Sequence, residues 1–382
     1  MGPLTGVRVL DLTSFIAGPF CGAILGDMGA DVVKVEQPPQ GDPSRHREDS
    51  SGYSSGFAAV NRNKRSIVMN LRDPAAMERF RRLVRASDVL VTSLRASARD
   101  RLGIGYKALS ELNPRLVYLS ISAFGESDLA RERPGFDVTA QAQSGLFALQ
   151  GIPANEALRS KLYLSDQLTG VYGALGVVAA LFERSVTGQG QEVTTSLLRA
   201  STAFTLPNLY QYLNAPDRAA GKRGPRSAGY LLETADGKRV AIHIPPSPVA
   251  IWERFIGALG ADYLADDPRF ATKDDRARNY ADLYAVVAAI VQGKNSAELF
   301  TAFDAAQVAI APINDLDDVE NDPVIRAEEL VVSGGTVRDQ EIRTVAPGVK
   351  FGGRPADMRP APLLDEHQAE IDELIEAVGS GE

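Results

Sequence analysis

A chain of 382 residues, 44% hydrophobic and 24% charged, has the material for roughly two to three packed domains. Its net charge of −8 argues against a general affinity for nucleic acid or an anionic membrane surface, while leaving room for a local basic pocket. Cys21 is the one cysteine, so there is neither an intrachain disulfide nor a thiolate metal cluster, and His46, His243 and His367 have no metal-ligand spacing.

Residues Met1 to Gly6 lack a basic segment leading into an apolar run, and no uninterrupted stretch of about 18 apolar residues follows. The expectation is a cytoplasmic protein with no export signal and no membrane span. Val7 to Leu12 predicts a first strand, and Gly18-Pro19-Phe20 opens a helix running to about Met28. Asp31 to Glu36 predicts a second strand, completing a β-α-β unit. Glu36 stands about where a ribose-binding acid would, but the first turn, Thr13 to Gly18, has no GxGxxG and speaks against a dinucleotide site.

Gln37 to Gly56, rich in Pro, Gly, Ser and charge, predicts a long surface loop bordering a site. Asn61 to Ser66 places several basic residues beside a strand, Ile67 to Leu71; they suit either a phosphate or a solvated face. A helix to about Arg85, a strand at Asp88 to Val91, a short helix with Arg99 and Arg101, and a strand at Arg115 to Ile121 follow. This alternation predicts an α/β domain with a parallel sheet, whose ligands sit beyond the carboxyl ends of the strands. Ser14 to Ala17, Met69 to Arg72 and Ser93 to Arg95 all fall there.

Leu168 to Phe182 is small or apolar on all sides, which predicts a helix buried in the protein. Ser165 and Asp166 stand at its start, where orphan N–H groups and the helix dipole favour an ionised acid. Asp166 is there either a plain helix cap or a nucleophile for an acyl group. Gly170, Gly173 and Gly176 recur every third residue and predict close packing by backbone or ligand. Glu192 to Leu197 predicts another strand, and 206–226 reads as a linker. A hairpin turning at Asp236-Gly237 and helices near 251–259, 280–292 and 296–306 make a smaller α+β domain over 227–312. A second linker over 313–324 and a terminal helix at 365–378 complete the chain, with the large domain formed by 1–205 and 325–382.

Several segments, taken in order, resemble the class III CoA-transferase family. They are Gly6-Val7-Arg8-Val9-Leu10-Asp11 with Ala17-Gly18-Pro19, Gly29 to Glu36, Asn63-Lys64-Arg65-Ser66, Arg101-Leu102-Gly103, Leu112-Asn113-Pro114-Arg115, Thr187 to Gln191, and Thr234-Ala235-Asp236-Gly237. The resemblance implies a Rossmann-like large domain, a smaller α+β domain and an interlocked ring homodimer. It implies acyl-CoA and a carboxylic acid as partners, with CoA a substrate and no permanently bound cofactor.

The resemblance makes Asp166 the nucleophile, passing through an aspartyl mixed anhydride and an aspartyl-CoA thioester. It implies that Phe15, Ile16 and Ala17 line the CoA thiol end, Met69 and Arg72 the adenine and phosphate end, with Ser93, Leu94, Arg95 and Arg101 adding contacts. Ile16 replaces a glutamine found in some members, and Ser93-Leu94 an Asn-Phe pair. Gly135-Phe136-Asp137 takes the place of a Gly-His-Asp motif in the racemase branch. Phenylalanine exchanges no proton, which favours CoA transfer over racemisation at this position; a racemase using another base and a CoA-binding protein without turnover are the alternative readings.

Overall fold

The computed structural model describes residues 2–46, 53–150, 162–215, 228–245, 250–353 and 357–380. The parts of the predicted site loop at 47–52 and of the first predicted linker at 216–226 lie outside them. Contacts divide the chain into a large unit, 1–213 with 331–382, and a small unit, 214–330.

In chain order the large unit begins with β1 (Arg8–Leu12), α1 (Ala17–Asp27), β2 (Asp31–Glu36), α2 (Ser55–Asn61), β3 (Lys64–Val68), α3 (Pro74–Arg85) and β4 (Val89–Thr92). It continues with α4 (Ala96–Leu102), α5 (Tyr106–Leu112), β5 (Val117–Ser122), α6 (Asp137–Ser144), α7 (Leu146–Gln150), α8 (Leu164–Thr187), β6 (Glu192–Ser196), α9 (Leu197–Phe204) and α10 (Leu206–Leu213). The six strands form one sheet in the order β3-β2-β1-β4-β5-β6, with every pair parallel. The order reverses between β1 and β4, so the loops leaving these two strands diverge and open a crevice.

Strand pleating divides the apolar residues between two cores. Val9, Val32, Val89 and Leu119 point to one face, under α1 and α8; Leu10, Val33, Leu90 and Tyr118 point to the other, under α3 and α5. The glycines of α8 allow its close approach to the first layer. A Cβ on Gly170 would lie 2.8 Å from the Phe20 ring and 3.0 Å from the Ala17 carbonyl, and one on Gly173 would lie 3.1 Å from Leu119. The neighbours are protein atoms rather than a ligand.

One expectation for α8 is corrected. Val171, Tyr172, Leu175 and Phe182 are exposed, so the helix buries one face and leaves the other, also apolar, uncovered by its own chain. By length and composition α8 could cross a membrane, but its glycine face lies against α1 and the sheet. The stretch 206–213, read as linker, is helical because Leu206, Leu209, Tyr210 and Leu213 repeat at helical spacing.

The small unit contains β7 (Ala228–Glu233), β8 (Arg239–Ile244), α11 (Ala250–Leu259), α12 (Lys273–Arg278), α13 (Tyr280–Gln292), α14 (Ser296–Ala306), β9 (Ala309–Pro312), α15 (Leu316–Val319) and α16 (Pro323–Ala327). Two of these, α15 and α16, fall in or across the second stretch read as linker; at the start of α15 Asp318 Oδ2 accepts the Asp315 amide at 3.2 Å, and at the start of α16 Asp322 accepts the Val324 and Ile325 amides. β7, β8 and β9 form an antiparallel sheet backed by Trp252, Phe255, Leu283, Val287 and Phe303. The chain then returns to the large unit through the hairpin β10 (Val331–Val337) and β11 (Gln340–Val345) and ends in α17 (Gln368–Ser380), which adds Ile371 and Ile375 to the second core.

Candidate active site

Beyond the carboxyl ends of β1, β2 and β3, a cleft of about 760 Å³ opens between the loop after each strand and α4. Thr13, Ser14, Gln37 to Pro43, Met69 to Pro74, Leu94 and Arg101 line it. Among the described residues neither the Arg72 nor the Arg101 guanidinium has a hydrogen-bonding or ion-pair partner, so both present donors to a ligand in the cleft. At the crevice the loops after β1 and β4 are tied together by the Ser14 amide, which donates to Ser93 Oγ at 3.2 Å.

From the cleft the β1–α1 loop leads toward the start of α8. Phe15, at φ 68°, turns its half-exposed ring edge-on to Phe136 with centroids 5.7 Å apart. Phe136 precedes the first turn of α6, and its amide donates to Thr139 Oγ1 at 3.0 Å. The next residue, Asp137, is buried, and its Oδ1 accepts the backbone N–H of Asp166 at 3.1 Å. Helix α8 has no capping side chain of its own, because Tyr163 occupies the cap position. The Asp137 carboxylate supplies that acceptor from another helix.

Burial pushes the Asp137 carboxyl up, and bonds from the Asp166 and Ser165 amides and from Gln141 hold it back. Asp166 itself is partly exposed in the first turn of α8. Behind it Ser165 Oγ shares a hydrogen bond of 2.6 Å with Ser201 Oγ of α9, which fixes the helix start from its buried side. The arrangement offers a partly exposed carboxylate at a positive helix end, with its main chain held by a second carboxylate.

The residues singled out from sequence thus fall into two groups. Met69, Arg72, Leu94 and Arg101 line the cleft. Phe15, Phe136, Asp137 and Asp166 form a chain of contacts beside it, with Ile16 and Ala17 opening α1 beneath Gly170 of α8. Ser93 braces the loops, and Arg95 begins α4, exposed and with no capping bond from its side chain. Gly135 is a packing position, since a Cβ there would fall 2.4 Å from the Phe124 ring.

Two charged features are taken up by ion pairs within the fold. Glu36 is not available to a ribose: it is buried and held by Arg45 at 2.7 Å, by Ser66 Oγ at 2.6 Å and by the Asp42 amide at 2.9 Å. The basic run at 62–65 faces no phosphate either. Arg62 pairs with Asp27 at 2.7 Å, Arg65 with Asp31 at 2.6 Å, and Lys64 is buried against Asp11 at 2.7 Å. That buried pair was not anticipated from sequence. The available signal was a lone charge inside apolar strands, Asp11 within Val-Leu-Asp-Leu and Lys34 within Val-Val-Lys-Val.

An open parallel sheet with a ligand-sized crevice at its switch point, and a partly exposed carboxylate at a helix mouth reached by the loop that borders that crevice, have the architecture of an α/β enzyme. The chain belongs to CoA-transferase family III, whose family model matches residues 4–368. It is 32% identical to succinate–glutarate CoA-transferase of Agrobacterium fabrum, over 98% of this chain and 96% of that protein. It is 34% identical to succinyl-CoA:mesaconate CoA-transferase of Haloarcula hispanica, over 100% and 98%. Among solved structures, a CaiB/BaiF family protein from Brucella suis superposes with a TM-score of 0.83 at 30% identity, covering 98% of this chain and 99% of the other.

Proposed function

We propose that the protein moves CoA from an acyl-CoA to a carboxylic acid, with Asp166 as the covalent carrier and with short dicarboxylic acids as the substrate class. The observation that carries this reading is the placement of Asp166: partly exposed in the first turn of α8, its amide fixed by Asp137, beside a loop that continues into the cleft. The names of relatives acting on succinate, glutarate and mesaconate support the substrate class.

The Asp166 carboxylate attacks the thioester carbonyl, forming a mixed anhydride and releasing CoA thiolate. The thiolate then attacks the aspartyl carbonyl of the anhydride, the donor acid leaves as its carboxylate, and CoA remains as an aspartyl thioester. An acceptor carboxylate attacks that thioester, giving a second mixed anhydride and thiolate. Attack of the thiolate on the acceptor's acyl carbon completes the new acyl-CoA and frees Asp166. One thioester replaces another, so the exchange is near neutral in free energy. First-turn N–H groups of α8 suit the negative oxygen that develops at each step. Phe136, beside Asp137, carries no exchangeable proton, which favours transfer over inversion at the α-carbon.

We also propose that the exposed apolar face of α8 is covered by a second copy of the chain, as a homodimer would require; light scattering reads this directly. The reaction is tested with succinyl-CoA and a panel of dicarboxylic acids. Asp166→Ala is expected to lose at least a thousandfold in acceptor-dependent thioester formation. Hydroxylamine trapping of wild type should add a modification at Asp166 by mass spectrometry. Transfer retained in Asp166→Ala would overturn the reading.

A further inference from the structure

Three of the segments that carried the family resemblance contain Asp11, Lys34 and Lys64, and the proposed chemistry uses none of these side chains. They stand on the adjacent strands β1, β2 and β3 and meet, fully buried, beneath the β1–α1 loop. Lys64 Nζ lies 2.7 Å from Asp11 Oδ2 and donates to the Pro19 carbonyl at 2.7 Å and to Asn61 Oδ1 at 2.9 Å. Lys34 Nζ lies 2.9 Å from Asp42 Oδ2 and donates to the Thr13 carbonyl at 2.9 Å. Asp11 Oδ1 accepts the Thr13 amide at 2.9 Å as well as its hydroxyl. Asp42 Oδ1 accepts the Phe15 amide at 3.3 Å, and the Ser44 amide and hydroxyl at 2.9 and 2.7 Å.

The cluster therefore grips the loop at Thr13, Phe15 and Pro19, on both sides of Ile16 and Ala17. Burying two ammonium groups and two carboxylates is a poor route to stability, because packed apolar side chains of similar volume commonly do as well or better. Charges in that position earn a different explanation in the backbone they hold. Phe15 adopts a left-handed φ that a bulky residue rarely takes up, and its amide is fixed by Asp42. Just past the loop, the Ala17 carbonyl is the surface on which Gly170 of α8 rests, one turn beyond Asp166. A displacement of Thr13 or Phe15 is passed directly to the place where α1 and α8 meet.

We propose that Lys34 is a positioning residue for CoA transfer: through Asp42 and the Thr13 carbonyl it holds the β1–α1 loop in register with the start of α8. This rests on the reading of Asp166 as the carrier. Lys34 is fully buried and absent from the cleft lining, so its effect runs through the loop rather than through contact with substrate.

The test is Lys34→Met, compared with wild type per folded molecule, the folded fraction being taken from near-ultraviolet circular dichroism. The expected result is a fall of at least tenfold in kcat for transfer from succinyl-CoA to glutarate. Binding of 3′,5′-adenosine bisphosphate, a CoA fragment without the pantetheine arm, should change less than twofold. A merely structural role would lower the melting temperature and leave kcat of the folded fraction at the wild-type value, and that result overturns the proposal.

If Lys34→Met does not fold, Asp42→Asn keeps the volume and the acceptor for Phe15 while removing the charge facing Lys34. Asp42 also borders the cleft, so the variant is expected to lose at least threefold in kcat while binding of 3′,5′-adenosine bisphosphate changes less than twofold; an unchanged kcat, or a kcat loss accompanied by lost binding, overturns the proposal. Asp166→Ala run in parallel separates the two ideas. Activity retained there defeats the carrier assignment, whereas an inactive Asp166→Ala beside a fully active Lys34→Met defeats the positioning role alone.

Discussion

Asp137 caps the helix that carries Asp166: the Asp137 Oδ1 oxygen accepts the Asp166 amide at 3.1 Å across 29 residues of sequence. The same bond anchors the first turn of α8 and sets the direction in which the Asp166 side chain leaves it. One substitution should therefore affect stability and catalysis by separable amounts.

Asp137→Ala removes a capping acceptor of α8, at a cost of about 1 kcal/mol in unfolding free energy. Activity should fall further, by tenfold or more in kcat, since on the proposed mechanism a small displacement of the Asp166 carboxylate is enough to lose that much. Asp137→Asn retains an oxygen acceptor and is expected to recover most of the stability. Urea titration alongside steady-state kinetics checks both. Equal kcat in wild type and Asp137→Ala would show that the cap does not orient the carboxylate.

Arg72 and Arg101 line the cleft, and among the described residues no acid pairs with either guanidinium group. Each charge-assisted bond to a ligand phosphate is worth roughly 1.5–3 kcal/mol, so Arg72→Ala and Arg101→Ala should each weaken CoA binding by about ten- to a hundredfold. Binding should also become less sensitive to salt. Calorimetry at two ionic strengths measures this, and unchanged affinity in both variants would place the phosphates elsewhere.

Much of this arrangement can be read from the chain, and what escapes has a common cause. The strands of the sheet announce themselves as apolar runs such as Val89 to Val91, and the three-residue spacing of Gly170, Gly173 and Gly176 signals a close approach. Asp166 is visible as an acid at a helix mouth, but its cap is not, because capping patterns are local and Asp137 lies on a different helix. The partners of Lys64 escape for the same reason: a basic run beside a strand looks solvated until folding brings Asp11 alongside. Nor does periodicity tell a helix face buried in its own chain from one that is apolar and uncovered, as on α8 at Leu175 and Phe182.

The buried ion cluster predicts a loss of stability in acid. Burial alone would raise the Asp11 carboxyl, but Lys34 and Lys64 overcome it and hold it at about 2. Glu36 and Asp42 are also held below the ordinary carboxylate range against burial, the first chiefly by Arg45 and the second chiefly by Lys34. Each folded value lies below its unfolded one, so the stabilisation is fully present above about pH 4 to 5 and is lost as the pH falls toward 2. Asp11 alone accounts for on the order of 2 kcal/mol by this linkage. Urea midpoints should be level from pH 7 to about 5 and drop steeply below 4, and equal midpoints at pH 7 and 3 would contradict the assignment.

The glycines of α8 differ in what surrounds them, and substitution should separate them. A Cβ at Gly170 would meet the Phe20 ring at 2.8 Å, the Ala17 carbonyl at 3.0 Å and the Cys21 amide nitrogen at 3.1 Å, two of them backbone atoms of α1. At Gly176 the close neighbour is one side-chain methyl of Val193, at 2.9 Å. Alanine gains up to about 1 kcal/mol over glycine in a helix interior, whereas overpacking against a rigid neighbour costs roughly 1–3 kcal/mol. Gly176→Ala should be close to neutral, because a valine rotamer can yield. Gly170→Ala has to push α1 and α8 apart, so it is expected to be destabilised by about 1–2 kcal/mol and to lose activity as the β1–α1 loop moves away from Asp166. Equilibrium unfolding of the two variants decides between these contacts, and a Gly170→Ala protein as stable and as active as wild type would mean that the helices accommodate the methyl without separating.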